Sequence, residues 1–204
     1  MPRHFSMVRE FHLADLFTLA NAASGVAAIF TVMGSLRTGN PMYLVGAAGA
    51  IALAFVFDFL DGRVARFRQT HSVMGRELDS LSDVISFGAA PAAMAYGAGL
   101  DGAWDQLILM GFVACGVARL ARFNVTAEEL AGGGEKVKYF EGTPIPTSIV
   151  LVGLLMVAAL RGSVGLAIWG GSLDLGPWRF HPLVLLFALS GGLMISKTLH
   201  IPKL

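Results

Sequence analysis

An all-α membrane protein with about six transmembrane helices is the fold predicted by three features of the sequence. Of 204 residues, 55% are hydrophobic and only 14% charged, and the mean hydropathy of +0.66 is too apolar for a water-soluble domain of this length. Apolar runs of roughly 20 residues, enough to cross the hydrocarbon core as a helix, recur along the chain. Basic residues gather in alternate connections, the asymmetry that orients a multi-pass protein. A formal net charge of +1 gives no reason to expect nucleic acid as a partner.

Residues 1–12, MPRHFSMVREFH, read as an interfacial N-terminal segment. The run LFTLANAASGVAAIFTVMGSL that follows is long enough to span and has no cleavage site after a short apolar core, so it reads as a retained helix and not a signal peptide. Spans are expected near 13–36, 43–66, 80–100, 103–123, 147–168 and 181–199. The fifth has the least definite end, because GLAIWGGSLDLGPWRF brings in glycine, proline and tryptophan that suit an interfacial loop. Arg63, Arg66, Arg68 and Arg76 lie between the second and third spans, and Arg119, Arg122, Lys136 and Lys138 between the fourth and fifth. The other connections, near Arg37, Asp101, Arg161 and Arg179, carry fewer basic residues. Both basic loops and both termini are therefore expected on the cytoplasmic side, with the protein in the cell inner membrane.

No repeat or long linker divides residues 1–204, which read as one membrane domain. TAEELAGGGEKVKYFEGTPIPTS is a polar cytoplasmic loop in which Pro144 and Pro146 suit a stiff turn. Gly25, Gly46, Gly49, Gly191 and Gly192 read as close-packing positions between helices, since no strand precedes them as a phosphate loop requires. Cys115 is the single cysteine and reads as a packing residue. His4, His12, His71, His181 and His200 are scattered without metal-ligand spacing.

The segment DFLDGRVARFRQTHSVMGRELDSLSD, residues 58–83, departs from this apolar background. Asp58, Asp61 and Ala65 follow i, i+3, i+7 on one helix, and Asp79 and Asp83 follow i, i+4 on the next. Two antiparallel helices can aim all four carboxylates at one place. An ionised side chain at bilayer depth costs about 3 kcal/mol even on a mild insertion scale, so four of them need neutralising. One solution is pairing with Arg63, Arg66 and Arg76 as ordinary charges at a helix end. The other is a divalent cation: carboxylates without thiol or imidazole suit Mg²⁺, Mn²⁺ or Ca²⁺, and this many acids can hold two ions of the kind that clamp phosphates. Gly62 and Ala65 keep the helix face shallow for a bulky ligand, and Arg66 and a turn at Gly75 are expected where a pyrophosphate would lie.

The pattern D-x-x-D-G-x-x-A-R followed by G-x-x-x-D-x-x-x-D, filled by Asp58, Asp61, Gly62, Ala65, Arg66, Gly75, Asp79 and Asp83, resembles the signature of the CDP-alcohol phosphotransferases. The resemblance implies a six-helix membrane enzyme, typically a homodimer, that moves a phosphatidyl-type group from a CDP-linked donor to an alcohol and releases CMP. It implies Asp58, Asp61 and Asp79 as the principal ligands of Mg²⁺ or Mn²⁺, with Asp83 as the general base close to the metals. Gly62, Ala65, Arg66 and Gly75 would shape the CDP pocket, and Asp61 is counted with them. Thr18 and Asn21, i and i+3 on the first helix, stand where the family often presents an asparagine to the active site. They suit hydrogen bonding between helices equally well.

ARLARFN closes the fourth span and YFEGTPIPTS precedes the fifth. Arg119 and Arg122 share a helix face close to Asn124, a donor set for a carboxylate or phosphate. Two arginines ending a span also suit membrane-interface anchors. Together with LDSLSDVISFGAAPA, these segments resemble the membrane-integral phosphatidylserine synthase branch over about residues 13–150. That resemblance implies CDP-diacylglycerol and L-serine as substrates. The alternatives are another acceptor, such as glycerol phosphate or inositol phosphate, or an archaeal donor lipid with serine. A divalent-cation transporter would also use intramembrane acids, but its pathway should cross the midplane, whereas these acids cluster toward one end.

Overall fold

The computed structural model describes residues 13–68, 73–131, 139–196 and 200–202. Apolar side chains with scattered small residues carry the first two helices, Leu13–Thr38 (α1) and Met42–Arg68 (α2), without interruption. Between them Gly39 takes φ +68, and the Asn40 side chain accepts the Met42 N–H at 2.9 Å, capping α2. A Cβ at Gly34 would lie 2.9 Å from the Tyr43 ring, so glycine lets the two helices close at this end.

Val73–Asp83 (α3), a π-helical stretch Val84–Ala89 and Ala90–Gly97 (α4) form one continuous rod. The Ala90 N–H reaches back five residues to the Ile85 carbonyl, and Pro91 immediately follows, where a ring and a missing N–H disfavour the ordinary i→i−4 pattern. Gly99 at φ +114 turns the chain into Ala103–Ala131 (α5).

Tyr139–Glu141 (β1) comes next, then a 3₁₀ turn, Ile145–Ser148, that leads into Ile149–Leu160 (α6). Leu173–Leu175 (β2) and Trp178–Phe180 (β3) form an antiparallel hairpin, followed by Leu185–Ile195 (α7). His200–Pro202 (β4) pairs antiparallel with β1.

Among the described residues, three helical stretches are long and apolar enough to cross a membrane: Asp15–Thr38, Met42–Val64 and Ala103–Thr126. They coincide with the expected first, second and fourth spans. The third, expected at 80–100, belongs to a rod that starts at Val73, because the amphipathic acid-bearing stretch is helical too. The fifth stops at Leu160 and not at 168, with Gly162 at φ +67 reversing the chain. The sixth is Leu185–Ile195, shorter than 181–199. The fold is mostly helical, and the all-α expectation is amended by the two short ribbons. Residues 1–12, expected as an interfacial segment, lie outside the described residues.

Ala28, Val32, Leu44, Ala47 and Ile51 fill the α1–α2 interface, with Phe87 and Met94 from the rod completing one continuous core. Phe112 and Phe187 meet edge to face at 5.3 Å and join α5 to α7. Gly25 is the tightest expected packing glycine: a Cβ there would lie 2.8 Å from the Ser86 Cα. Gly46 and Gly191 are also close to neighbours, at 3.2 and 3.3 Å. Gly49 and Gly192 are not, since a Cβ at either meets nothing within 4 Å among the described residues. Cys115 packs against Gly191, in line with its reading as a packing residue.

Candidate active site

The C-terminal turns of α2 carry Asp58 and Asp61 toward α3, where Asp79 and Asp83 stand one turn apart. One carboxylate oxygen from each of Asp58, Asp61 and Asp79 lies within 4.8 Å of the other two. Divalent ions bind oxygen at about 2.0–2.6 Å, so ligand atoms around one ion stand at most about 5 Å apart, and the three acids meet that condition. Asp79 Oδ1 is buried with no hydrogen-bond partner among the described residues, as a carboxylate does when its counterpart is a cation. The donor set, three carboxylates without sulfur or imidazole, suits Mg²⁺ or Mn²⁺.

Helix α1 holds the acids in place. Thr18 Oγ1 donates to Asp61 Oδ2 at 2.8 Å, and Asn21 Nδ2 donates to Asp83 Oδ1 at 3.4 Å. From the rod, Ser82 Oγ donates to the Thr18 carbonyl at 3.0 Å and Ser86 Oγ to the Asn21 carbonyl at 2.9 Å. Each orienting residue on α1 is thus itself fixed by a serine on the acid-bearing rod. Asn21 is fully buried, and its Oδ1 has no partner among the described residues. Arg63 stacks over the Phe59 ring at 5.1 Å, a cation–π contact directed along its own helix.

On α5, Arg119 comes within electrostatic reach of Asp83, and its Nε is buried without a partner among the described residues. Arg122 donates from Nη2 to the Ile195 carbonyl at the end of α7. Asn124 donates to Glu77 Oε1 at 3.2 Å and to Ser80 Oγ at 3.0 Å. The carboxamide therefore ties α5 to the turn of α3 on which Asp79 sits.

A metal-fitting triad of acids, a fourth acid beside it and an arginine within electrostatic reach of that fourth acid can together hold a divalent cation and a phosphate-bearing ligand. The model of the CDP-alcohol phosphatidyltransferase family matches residues 11–176. The chain belongs to that family. Among relatives of this CDP-alcohol phosphatidyltransferase, the CDP-diacylglycerol–serine O-phosphatidyltransferase of Saccharomyces cerevisiae is 45% identical over 98% of the chain and 74% of the yeast protein. The archaetidylserine synthase of Methanothermobacter thermautotrophicus is 43% identical over 69% of the chain and 55% of its own length. A CDP-diacylglycerol–serine O-phosphatidyltransferase from Methanocaldococcus jannaschii is 36% identical over 72% of the chain and 62% of its own length.

The structure of this phosphatidyltransferase gathers Asp58, Asp61, Asp79, Asp83, Thr18 and Asn21 at one site. Gly62 lies beside Asp61, and a Cβ there would meet nothing within 4 Å among the described residues. Gly75 lies in the first turn of α3, not in a turn before it, because the helix already starts at Val73. Ala65 and Arg66 are on the last turns of α2, and their side chains lie outside the described part of the chain. Arg119, Arg122 and Asn124 share the C-terminal half of α5, which continues to Ala131, but turn to different partners. Asp15 was not singled out from sequence: it is buried on α1 and acts electrostatically on Asp61. Its signal was available, since Asp15 and Thr18 are i and i+3 on one helix face.

Proposed function

We propose that this chain transfers the phosphatidyl group of CDP-diacylglycerol to the hydroxyl of L-serine and releases CMP, which is phosphatidylserine synthesis. The observation that carries the reading is the convergence of the Asp58, Asp61 and Asp79 carboxylate oxygens within 4.8 Å. The serine specificity rests on the similarity to the yeast enzyme over 98% of the chain.

Asp58, Asp61 and Asp79 would hold Mg²⁺ or Mn²⁺, and a second ion would draw on Asp83 as well. When bound, the metal neutralises the pyrophosphate charge and polarises the phosphorus under attack. Thr18 keeps the Asp61 carboxylate turned toward its neighbours. Asp83, oriented by Asn21, takes the proton from the serine hydroxyl. The serine oxygen forms its bond to the lipid-linked phosphorus as the bond to the CMP oxygen breaks. Gly62, Ala65, Arg66 and Gly75 wall the CDP pocket, which Asp61 and Asn21 complete. Arg119 receives the serine carboxylate, with Arg122 and Asn124 closing that side.

The acid end faces the cytoplasm, where serine is dissolved and the lipid donor is within reach in the same leaflet. The protein crosses the inner membrane about six times, with both termini cytoplasmic, and works as a homodimer. The archaetidylserine synthase relative at 43% identity supports a second reading, in which the donor is an archaeal-type lipid.

The deciding assay takes purified protein in detergent with Mg²⁺ or Mn²⁺, CDP-diacylglycerol or its ether-lipid counterpart, and serine, glycerol 3-phosphate or inositol phosphate as acceptor. CMP release with serine and the diacyl donor is expected. A clear preference for another acceptor would overturn the serine assignment and leave the phosphotransferase chemistry intact.

A further inference from the structure

All three tryptophans of the chain, Trp104, Trp169 and Trp178, fall at the end of the bundle away from the acids. Trp104 lies in the first turn of α5, and at 1.5 Å per residue the rise from it to Asn124 is about 30 Å. Trp104 lies at the start of a membrane-length helical stretch, Ala103–Thr126. That places it at a bilayer boundary, the depth tryptophan favours.

The β2–β3 hairpin stands at the same level, since the Trp104 and Trp178 rings meet at 5.1 Å and 68°. Its register pairs Leu173 with Phe180, Asp174 with Arg179 and Leu175 with Trp178. Side chains alternate across a strand, so one face carries Leu173, Leu175, Trp178 and Phe180 and the other Asp174 and Arg179. The apolar face is open: Leu173, Leu175 and Trp178 are 53%, 49% and 45% exposed.

Strands this short do not stand alone in water, and this hairpin is held by α5. Trp104 Nε1 donates to the Leu175 carbonyl at 3.2 Å. A Cβ at Gly102 would overlap the Arg179 carbonyl oxygen, so the backbones touch there. Asp105, fully buried, accepts the His181 N–H at 2.8 Å and the Gly102 N–H at 2.9 Å, and its carboxylate also meets His181 Nδ1. A firmly docked ribbon thus presents an apolar face that is continuous with the exposed Trp104 and Leu107 of a spanning helix.

We propose that the β2–β3 hairpin is an interfacial anchor, seated by its Leu173, Leu175, Trp178 and Phe180 face in the headgroup and upper acyl region of the leaflet opposite the acids. Its partner is the lipid surface. The polar Asp174–Arg179 face points to water, and the anchor sets the depth of α5 and so the height at which Arg119 and Asn124 stand.

The test compares spin labels on the two faces of the full-length chain in lipid nanodiscs. Leu173→Cys and Asp174→Cys are made separately in a Cys115→Ala background, and collision with oxygen and with a water-soluble nickel chelate is measured. Oxygen should dominate several-fold at 173, and the nickel chelate at 174. Nickel access at both positions would overturn the proposal in favour of a water-exposed ribbon. Shielding of 173 from both agents with spin–spin broadening would overturn it in favour of a contact between copies of the chain. If labelling disturbs the fold, the unmodified protein supplies the reading, because its tryptophan emission arises at this end alone. Lipids brominated near the headgroup should quench it and aqueous iodide should not; the reverse result would sink the anchor.

Discussion

Asn21 donates from Nδ2 to Asp83 Oδ1 across 3.4 Å, linking the first membrane helix to the acid proposed as general base. The contact crosses 62 positions of sequence, and the Asn21 carbonyl is in turn held by Ser86. Asn21→Leu should therefore lower kcat more than it weakens metal binding, because it frees a proton acceptor without removing a ligand. A neutral hydrogen bond contributes about 0.5–1.5 kcal/mol and one to a charged group up to about 3, so the expected loss is roughly tenfold. Steady-state kinetics beside Mn²⁺ titration would separate the two effects; an equal loss in both would place Asn21 with the ligands.

Asp79 and Asp83 should part company in binding. Asp79 belongs to the converging triad and Asp83 does not. Asp79→Asn is expected to abolish tight metal binding together with turnover, whereas Asp83→Asn should abolish turnover but retain metal and CDP-lipid affinity far better than Asp79→Asn does. Calorimetric titration of each variant reads the difference, and matching losses would refute the division of roles.

Thr18 donates a side-chain hydrogen bond of 2.8 Å to Asp61. Removing it by Thr18→Val keeps the shape but withdraws a donor to a charged group, worth about 1.5–3 kcal/mol. Mn²⁺ affinity measured by electron paramagnetic resonance should fall roughly ten- to a hundredfold, and Thr18→Ser should restore most of it. Full affinity in the valine variant would show that Asp61 orients itself.

Gly25→Ala tests the contact between α1 and the π-helical stretch. The added carbon would sit 2.8 Å from the Ser86 Cα, a backbone atom that cannot swing aside. Overpacking of this kind costs about 1–3 kcal/mol, and thermal unfolding in detergent should register it. The Ser86 bond to the Asn21 carbonyl should loosen as well, so activity should drop beyond what the stability loss explains. Gly49→Ala, at an open position, is the matched control and should be nearly silent.

Arg119 and Arg122 should respond differently to lysine. Arg122 already gives a donor to the Ile195 carbonyl, while Arg119 lies within electrostatic reach of Asp83 with its Nε unpartnered among the described residues. Arg119→Lys should lower kcat/KM for serine roughly ten- to a hundredfold, since a point charge cannot reproduce a planar two-pronged contact. Arg122→Lys should cost less. Serine methyl ester should be a poor acceptor for the parent, and its extra penalty should shrink in the arginine variant that has lost the contact; parental kinetics in both variants would remove the arginines from acceptor binding.

The acids were legible because their spacing is helical and because charge stands out in an apolar chain. Asp15 was harder to see, since a lone acid at the start of a span has an ordinary explanation as an end charge. The Asp105–His181 pair was invisible to any local pattern, its members lying 76 residues apart. The β2–β3 hairpin had left a signal, in the alternation of LDL and WRF around Gly176 and Pro177, but a reading tuned to twenty-residue apolar runs absorbed it into the end of a helix. The π-helical stretch left none, because Val84–Ala89 is as apolar as an α-helix would be there, and only Pro91 beyond it marks the place.

That stretch has a consequence for how one rod serves two masters. Each residue of an α-helix advances the side-chain direction by about 100°, and a turn closed five residues back accommodates one residue more than a turn closed four back. Asp79 and Asp83 on one side of it, and Ala90 and Met94 on the other, are therefore out of phase by about 100° relative to an unbroken helix. The stretch acts as an angular offset, letting the same rod aim carboxylates at the α1–α2 acids below and apolar side chains at the core above. Deleting a single residue between Val84 and Ala89 would remove the offset, and one of the two halves would have to face the wrong way.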